Sequence, residues 1–595
     1  MRDRSIEVYR GRSHTIGLWD DDDVVARLFV GVLVCAMIPV TLSSKGDSTT
    51  PDIRVDQVGY PSGFKKLAFV VHSGTQPLRD FELRRADNNQ SVFAGTLSSA
   101  SIDVNSGDAM QTADFTNVDL TGSFYVNVGG VGRSPTFRIA PAVYTQAYQL
   151  TARSFYGQRC GTAVNLGGSF HYDACHGAGG YDLSSGHSGA KASAQGWHDA
   201  GDYGRYVVSS GAATAVLLWA FELWGEGSIG HIDLHIPESG KGTPDLLAEA
   251  RWNIEWMLSM QDVDGGVWHK QTSTHFCGFV LPDKDDLPSL VIGSGHAPFK
   301  TSCATGDFTA VAAIAARVYR PYDAKFAELC LTAAKKGWSW LESHPAETFH
   351  NPAGISTGEY GDDNCADEQL WAAAELARTT REQAFNDYFV AHYREFLDRI
   401  SSDEPPNWAS TAALGLWTYA LGKGTDTSAV KEIESRSVTA ADAIAARTEQ
   451  EGYRNTLVRN NYIWGSNGVA ASYNLQLLIS DRLAPAKRYR EAAASNLHYL
   501  FGCNPFSLSY VTGLGSHSVR HIHHRPSIAL QQPWPGLLSG GPNMNREDPE
   551  MKKAIGAETP PAKAFLDLQE SYASNEVAIN WNAPLVFSLA GLLSQ

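Results

Sequence analysis

The chain has 595 residues, 43% hydrophobic and 19% charged, a balance of globular and not disordered proteins. Its net charge of −16 argues against nucleic acid or an anionic membrane surface as a partner, and fits a soluble protein, expected to be a monomer, acting on a neutral or cationic substrate. The 15 tryptophans and 23 tyrosines serve a core first, and the surplus suits sugar binding. In chain order, the first feature is an uncharged apolar run, Leu28 to Leu42. It is too short for the roughly 20 residues of a membrane span and reads as the core of a signal peptide. Asp20 to Asp23, just before it, are unusual there and leave a signal anchor as the alternative. Residues 1–50 thus predict an export segment and linker, and a secreted, extracellular protein with no membrane tie beyond that anchor. Residues 51–141 alternate over short runs: 53–61, 67–71, 81–84, 122–128 and 136–139, punctuated by Gly, Asn, Asp and Pro. This predicts a small all-β sandwich. From 142 to 595 the period becomes helical, with helices over 206–224, 307–319 (Asp307 as N-cap), 367–379, 412–421, 469–479 and 489–501. No βαβ alternation appears, so this is one large all-α domain, compatible with a helical toroid, whose long loops point to function.

Two stretches carry chemistry. Trp197-His198-Asp199-Ala200-Gly201-Asp202-Tyr203-Gly204 sets two carboxylates before a helix, where free amides and the helix dipole favour the charged form that a general base needs. The same residues also read as a structural cap. Near the C-terminus, Glu576 sits among Tyr572, Val577, Ile579 and Trp581, surroundings that keep a carboxyl protonated. A protonated acid paired with an ionised base is what glycoside hydrolysis uses. These motifs, with Ser509–Gly515 followed by Ile522-His523-His524-Arg525, resemble a glycoside hydrolase family 9 cellulase of the subgroup with an N-terminal immunoglobulin-like domain, over roughly residues 53–593. His517 stands where the family usually has Asn, Lys or Arg.

The resemblance implies an all-α (α/α)6 barrel with an open cleft, and an endo-β-1,4-glucanase that inverts the anomeric centre of cellulose or a related β-glucan. Asp202 would be the general base, Asp199 would help hold the water, and Glu576 would be the general acid. His523 and Arg525 would contact sugar hydroxyls, and Asp567 would support the acid motif. Trp464, resembling a family segment near the cleft, and Trp268-His269-Lys270 and Phe276 are further candidate sugar contacts. Two other functions stand beside this one: an exo-β-glucosaminidase on chitosan oligomers, as some family relatives are, and a non-catalytic carbohydrate-binding protein.

The eight cysteines do not form a small disulfide framework, and pairings among Cys277, Cys303, Cys330, Cys365 and Cys503 stay open. Cys160, Cys175, His176 and His198 make a two-Cys, two-His set suited to tetrahedral zinc, with a Cys160–Cys175 disulfide as the alternative. The set is similar to the zinc site of relatives carrying the immunoglobulin-like domain; four protein ligands would make it structural, although a zinc-hydrolase mechanism is a further alternative. Two acidic loops are candidate calcium sites: Glu238 with Asp245, and Asp362, Asp363 and Asp367. Helix capping by Asp245 and Asp367 explains each of those two acids equally well.

Overall fold

The computed structural model describes residues 49–72 and 78–594, so the expected export segment lies outside the described residues except for positions 49 and 50. The β-portion is a two-sheet sandwich. One sheet orders Ile53–Arg54, Leu67–Val71, Ala109–Asp114 and Ser101–Ile102; the other orders Tyr60–Pro61, Phe137–Ala140, Gly122–Val128, Asp80–Arg85 and Ser91–Thr96, with Gly132–Arg133 beside Gly122–Val128. Phe124, Val126 and Val128 point inward, and Leu83 pairs with Val126 in the core between the sheets. The run 53–61 reads as one strand but forms two, on different sheets. The cause is local: the Asp56 carboxylate accepts the amides of Val58 and Gly59 at 2.8 and 2.9 Å, which turns the chain. Asp56 also accepts the Tyr144 hydroxyl at 3.0 Å and lies 2.7 Å from His498 Nδ1, pinning sandwich to helices.

Among the described residues twelve long helices follow: α1 (Thr145–Gly157), α2 (Val207–Trp224), α3 (Asp245–Ser259), α4 (Ser302–Val318), α5 (Ala324–Ser343), α6 (Ala366–Thr380), α7 (Gln383–His392), α8 (Ala412–Leu421), α9 (Thr427–Gln450), α10 (Ser466–Leu483), α11 (Lys487–Leu500) and α12 (Ile579–Leu593). The even-numbered helices pack side by side into a closed ring, α12 meeting α2, and the odd-numbered ones surround it: an (α/α)6 barrel. Burial explains the division. Of α2, only Glu222 and Leu223 escape full burial, and of α4 only Arg317, as an inner wall requires. In α5, Phe326, Cys330, Trp338 and Leu341 are buried while Lys335 and Lys336 are exposed, the stripe of an outer helix. Small residues let the inner helices approach: a Cβ on Gly211 of α2 would lie 2.8 Å from Asp307 Cβ of α4. Asp307 is therefore not the N-cap that its sequence suggests. The helix begins at Ser302, and Asp307 is fully buried inside the barrel. A disulfide, Cys303–Cys365, staples the entrances of α4 and α6.

The loops that enter the inner helices carry the functional side chains. Asp199 and Asp202 precede α2, Tyr360 precedes α6, Trp408 precedes α8, Trp464 precedes α10 and Glu576 precedes α12. A four-stranded sheet, Gly179–Tyr181, Ser289–Ile292, Lys270–Thr272 and Arg205–Tyr206, leads straight into α2.

Candidate active site

Asp199, Asp202 and Glu576 line one cavity of about 800 Å³, walled by Tyr206, Tyr360, Trp408, Trp464, Tyr572 and Trp581. Backbone bonds assemble it from distant segments. The Ile579 amide donates to Asp199 O at 2.8 Å, the Arg525 amide to Gly201 O at 3.0 Å, and the His523 amide to Asn575 O at 2.8 Å. Gly201 has to be glycine, because a Cβ there would lie 2.1 Å from His523 O.

The three carboxyls differ in their surroundings. Both oxygens of Asp199 are occupied, one by the Ser209 hydroxyl from the first turn of α2 and one by the Tyr360 hydroxyl. Burial, then the neighbouring Asp202 charge, push Asp199 up to about 7 against those two bonds. This departs from the expectation that the helix end keeps it ionised: α2 starts only at Val207, behind the Arg205–Tyr206 strand. Asp202 accepts from the Gly204 amide at 3.0 Å and the Tyr206 hydroxyl at 3.2 Å, both on Oδ2. Among the described residues nothing donates to its Oδ1, which is free for a water. Glu576 is pushed up to about 8, by burial first and then by the Asp202 and Asp199 charges, with Arg525 and a Gly201 amide bond pulling the other way. At neutral pH it is a proton donor.

The structure sorts the remaining candidates. His523, Arg525, Trp464 and Phe276 line the cavity. His523 bonds the Gln569 carbonyl through Nδ1 at 2.6 Å, and burial pushes its pKa down. Arg525 donates to Gly201 O at 2.9 Å and lies over the Phe276 and Phe279 rings. Asp567 does not line it; its carboxylate takes the Arg520 and His521 amides and the Asn575 side chain, bracing the residue before Glu576. His269 is also outside: it is buried, stacked at 3.7 Å on Phe349, with Nε2 2.9 Å from Glu359 O. Trp268 is buried as well, its indole donating to Ser185 O. In that motif the side chains point into the protein, and no surface is left for a sugar. Missed from sequence were Tyr206, Tyr360, Trp408, Tyr572 and Trp581. Tyr360 lies just before the acids Asp362 and Asp363 read for calcium, and Tyr572 and Trp581 are legible in the sequence only as apolar surroundings of Glu576. The cavity shares Trp408, Trp464, Asn580 and Trp581 with a second one of about 790 Å³, so the groove continues beyond the carboxyls.

The two-Cys, two-His set is gathered: one ligand atom from each of Cys160, Cys175, His176 and His198 lies within 4.8 Å of the others. Cys160 and Cys175 are 4.0 Å apart at sulfur and unbonded, which removes the disulfide alternative. His176 Nε2 meets Asp285 at 3.2 Å, the outer carboxylate that metal-bound histidines commonly have. The first acidic loop is not a cation site. Glu238 is held bidentately by Arg159 at 3.1 and 2.9 Å, and Asp245 accepts the Leu234 amide and the Ser239 hydroxyl. In the second loop Asp363 is exposed beside His350, and Asp367 accepts the Thr411 amide at 2.8 Å. Asp362 instead shares a buried neighbourhood with Glu368, at the end of the same acidic stretch, and with Asp307, which sequence reading did not place there. Both oxygens of each of these two, and Asp362 Oδ2, are buried without a hydrogen-bond donor. Among the described residues, the carboxylates of this neighbourhood do not gather as three oxygens within 4.8 Å.

Comparison with known proteins agrees with this geometry. Residues 144–589 match the model of glycosyl hydrolase family 9, and residues 48–133 match the cellulase N-terminal ig-like domain. Endoglucanase D of Acetivibrio thermocellus is 35% identical over 91% of this chain and 83% of its own length. A crystal structure of a single-mutant thermostable endoglucanase from Alicyclobacillus acidocaldarius superposes with a TM-score of 0.83 at 33% identity, covering 92% of this chain and 100% of that one. A Zn-binding triple mutant of a family 9 endoglucanase superposes with a TM-score of 0.82 at 32% identity, over 90% of this chain and 100% of that one.

Proposed function

The chain belongs to glycosyl hydrolase family 9, and on that premise we propose that it is an inverting endo-β-1,4-glucanase in which Asp202 is the base and Glu576 the acid. One observation carries the assignment of roles: in a single aromatic-walled cavity Glu576 holds its proton to about pH 8, while Asp202 keeps one oxygen free of donors. Asp202 Oδ1 takes a proton from water, the water oxygen bonds to the anomeric carbon, and the glycosidic C–O bond breaks as Glu576 passes its proton to the leaving oxygen. Inversion follows, because attack and departure occur on opposite faces. Both carboxyls then exchange protons with solvent. Asp199, fixed by Ser209 and Tyr360, orients the water. Trp408, Trp464 and Trp581 give flat faces for successive sugar rings, and the groove beyond the carboxyls fits a polymer.

We assign zinc to the two-Cys, two-His group, on its soft donor set and its spacing. Four protein ligands leave no open position, so zinc would fix the loop in which His198 precedes Asp199. Calcium is proposed for the Asp307, Asp362 and Glu368 neighbourhood, whose buried carboxylate oxygens without a donor would have to draw together around the ion. Burial and mutual repulsion push the Asp307 and Glu368 carboxyls up, a strain that a cation would relieve; a calcium-dependent rise in melting temperature is the check. Export is supported by the Cys303–Cys365 disulfide, a bond of oxidising compartments.

The test is product analysis on carboxymethylcellulose, mixed-linkage glucan and chitosan oligomers, with the anomer released followed by NMR and Glu576→Gln as control. α-Anomers from the glucans and an inactive variant are expected. Action on chitosan alone, retained configuration or an active variant overturns the proposal.

A further inference from the structure

Lys270 is fully buried beside the catalytic carboxylates and lies outside the reaction as described so far. It is in the strand Lys270–Thr272, paired directly with Tyr206, and its ammonium lies 5.6 Å from the Tyr206 ring centre. It donates to Asn351 Oδ1 at 2.6 Å and to Gly358 O at 2.7 Å, with longer contacts to the Thr357 hydroxyl and carbonyl at 3.4 and 3.5 Å. These partners are an amide, two carbonyls and a hydroxyl; none is a carboxylate. Burying a cation on neutral dipoles alone is costly, and an apolar side chain would fill the space more cheaply. Burial pushes Lys270 down to about 7, against the Asp202 and Glu359 charges that face it. Charged or neutral, its nitrogen has donors enough for the two short bonds.

Every hydrogen-bond partner of the Lys270 ammonium belongs to one segment, 351–358, which has no regular secondary structure. Neighbouring bonds close the same segment: His269 Nε2 on Glu359 O at 2.9 Å, the Asn351 amide on Glu359 Oε2 at 2.9 Å, and the Asn351 side chain on Thr357 O at 2.8 Å. The chain runs from this segment directly to Tyr360, whose φ of 51° is a left-handed conformation uncommon for a residue with a side chain. The Tyr360 ring packs on Tyr206 at 4.7 Å and on Trp408 at 4.9 Å, and its hydroxyl donates to Asp199. The two phenols therefore reach the two aspartates side by side, Tyr206 from the strand and Tyr360 from the loop.

We propose that Lys270 is a positioning residue: by tying segment 351–358 to the strand that carries it, Lys270 sets the Tyr360 hydroxyl on Asp199 and thereby the water-holding half of the site. It touches no substrate atom. This role rests on the assignment of Asp199 and Asp202 to the water.

A double-mutant cycle on a soluble β-glucan tests it. Lys270→Met and Tyr360→Phe should each lower kcat by about 10- to 100-fold with KM within about twofold, the signature of misplacement in the transition state. The double variant should be no slower than the slower single. A Lys270→Met protein that melts like the wild type and keeps its kcat overturns the proposal, and so do losses that multiply in the double variant. If Lys270→Met does not fold, Asn351→Ala takes its place in the cycle, because it removes the 2.6 Å tie and leaves the ammonium its carbonyl partners; wild-type kcat in that variant overturns the proposal equally. Glu576→Gln run alongside separates the two levels. An active Glu576→Gln defeats the assignment of the catalytic carboxyls, whereas an inactive one beside a fully active Lys270→Met defeats only the role of Lys270.

Discussion

Replacing Glu576 by Gln should move activity and stability in opposite directions. In the folded protein this carboxyl is carried from 4.5 to about 8. The native state then keeps a proton that the unfolded chain releases above about pH 4.5, so stability is greatest below that pH, falls through the window from 4.5 to 8, and levels off above it. The displacement corresponds to at most about 5 kcal/mol, and to about 2–5 kcal/mol once the coupling to Asp199 and Asp202 is shared out. Glutamine keeps the shape and does not titrate. The variant should therefore gain about 2–5 kcal/mol on the wild type between pH 4.5 and pH 8 while losing turnover by about 10²–10⁴, the usual contribution of a general acid. Urea unfolding followed by tryptophan fluorescence at pH 4.5, 6 and 8, with initial rates on a β-glucan, measures both. Stability curves that stay parallel across that window, or a variant within about tenfold of wild-type turnover, would refute the reasoning. The wild-type kcat/KM should fall about tenfold per pH unit above about 8, as the donor loses its proton.

Three further outcomes are expected. Elemental analysis should find zinc in the wild type and none in Cys160→Ser, which should melt earlier while its folded fraction turns over normally; lost turnover in a fully folded, equally stable protein would make the metal catalytic. Opening the Cys303–Cys365 link by a double Ser substitution removes a closure spanning 62 residues and should cost up to about 4 kcal/mol in urea unfolding. Trp408→Ala, at the junction of the two cavities, should raise KM for long cello-oligosaccharides by about 1–3 kcal/mol of binding and leave the shortest cleavable substrate nearly unchanged; equal losses at every length would show that the second cavity holds no sugar.

Sequence showed most where chemistry repeats a pattern. The helical period, the aspartate pair before α2 and the apolar setting of Glu576 were all visible in the letters. What it hid depends on direction. His269 and Trp268 look like cleft residues because they stand in a polar-aromatic motif, yet the strand they lead into turns both side chains inward. Asp307 looks like a cap because acids usually cap, yet it is walled in between inner helices. Tyr360 was hidden because the loop carrying it has no periodicity, and its value comes only from a carboxylate 161 positions earlier in the chain. Glu238 illustrates a third cause: its partner Arg159 lies 79 positions away, so the acid reads as free until the fold supplies the guanidinium.

The ring closes through α12 on α2, and at that seam the Ile579 amide meets the carbonyl of Asp199. The proposed donor and acceptor of the reaction's protons are thus synthesised hundreds of codons apart and become neighbours only where this seam is closed. A ribosome-bound or truncated intermediate lacking that last wall segment has no partial hydrolytic power to misdirect. Clipping within 572–593 should therefore silence the protein as completely as deleting the aspartates.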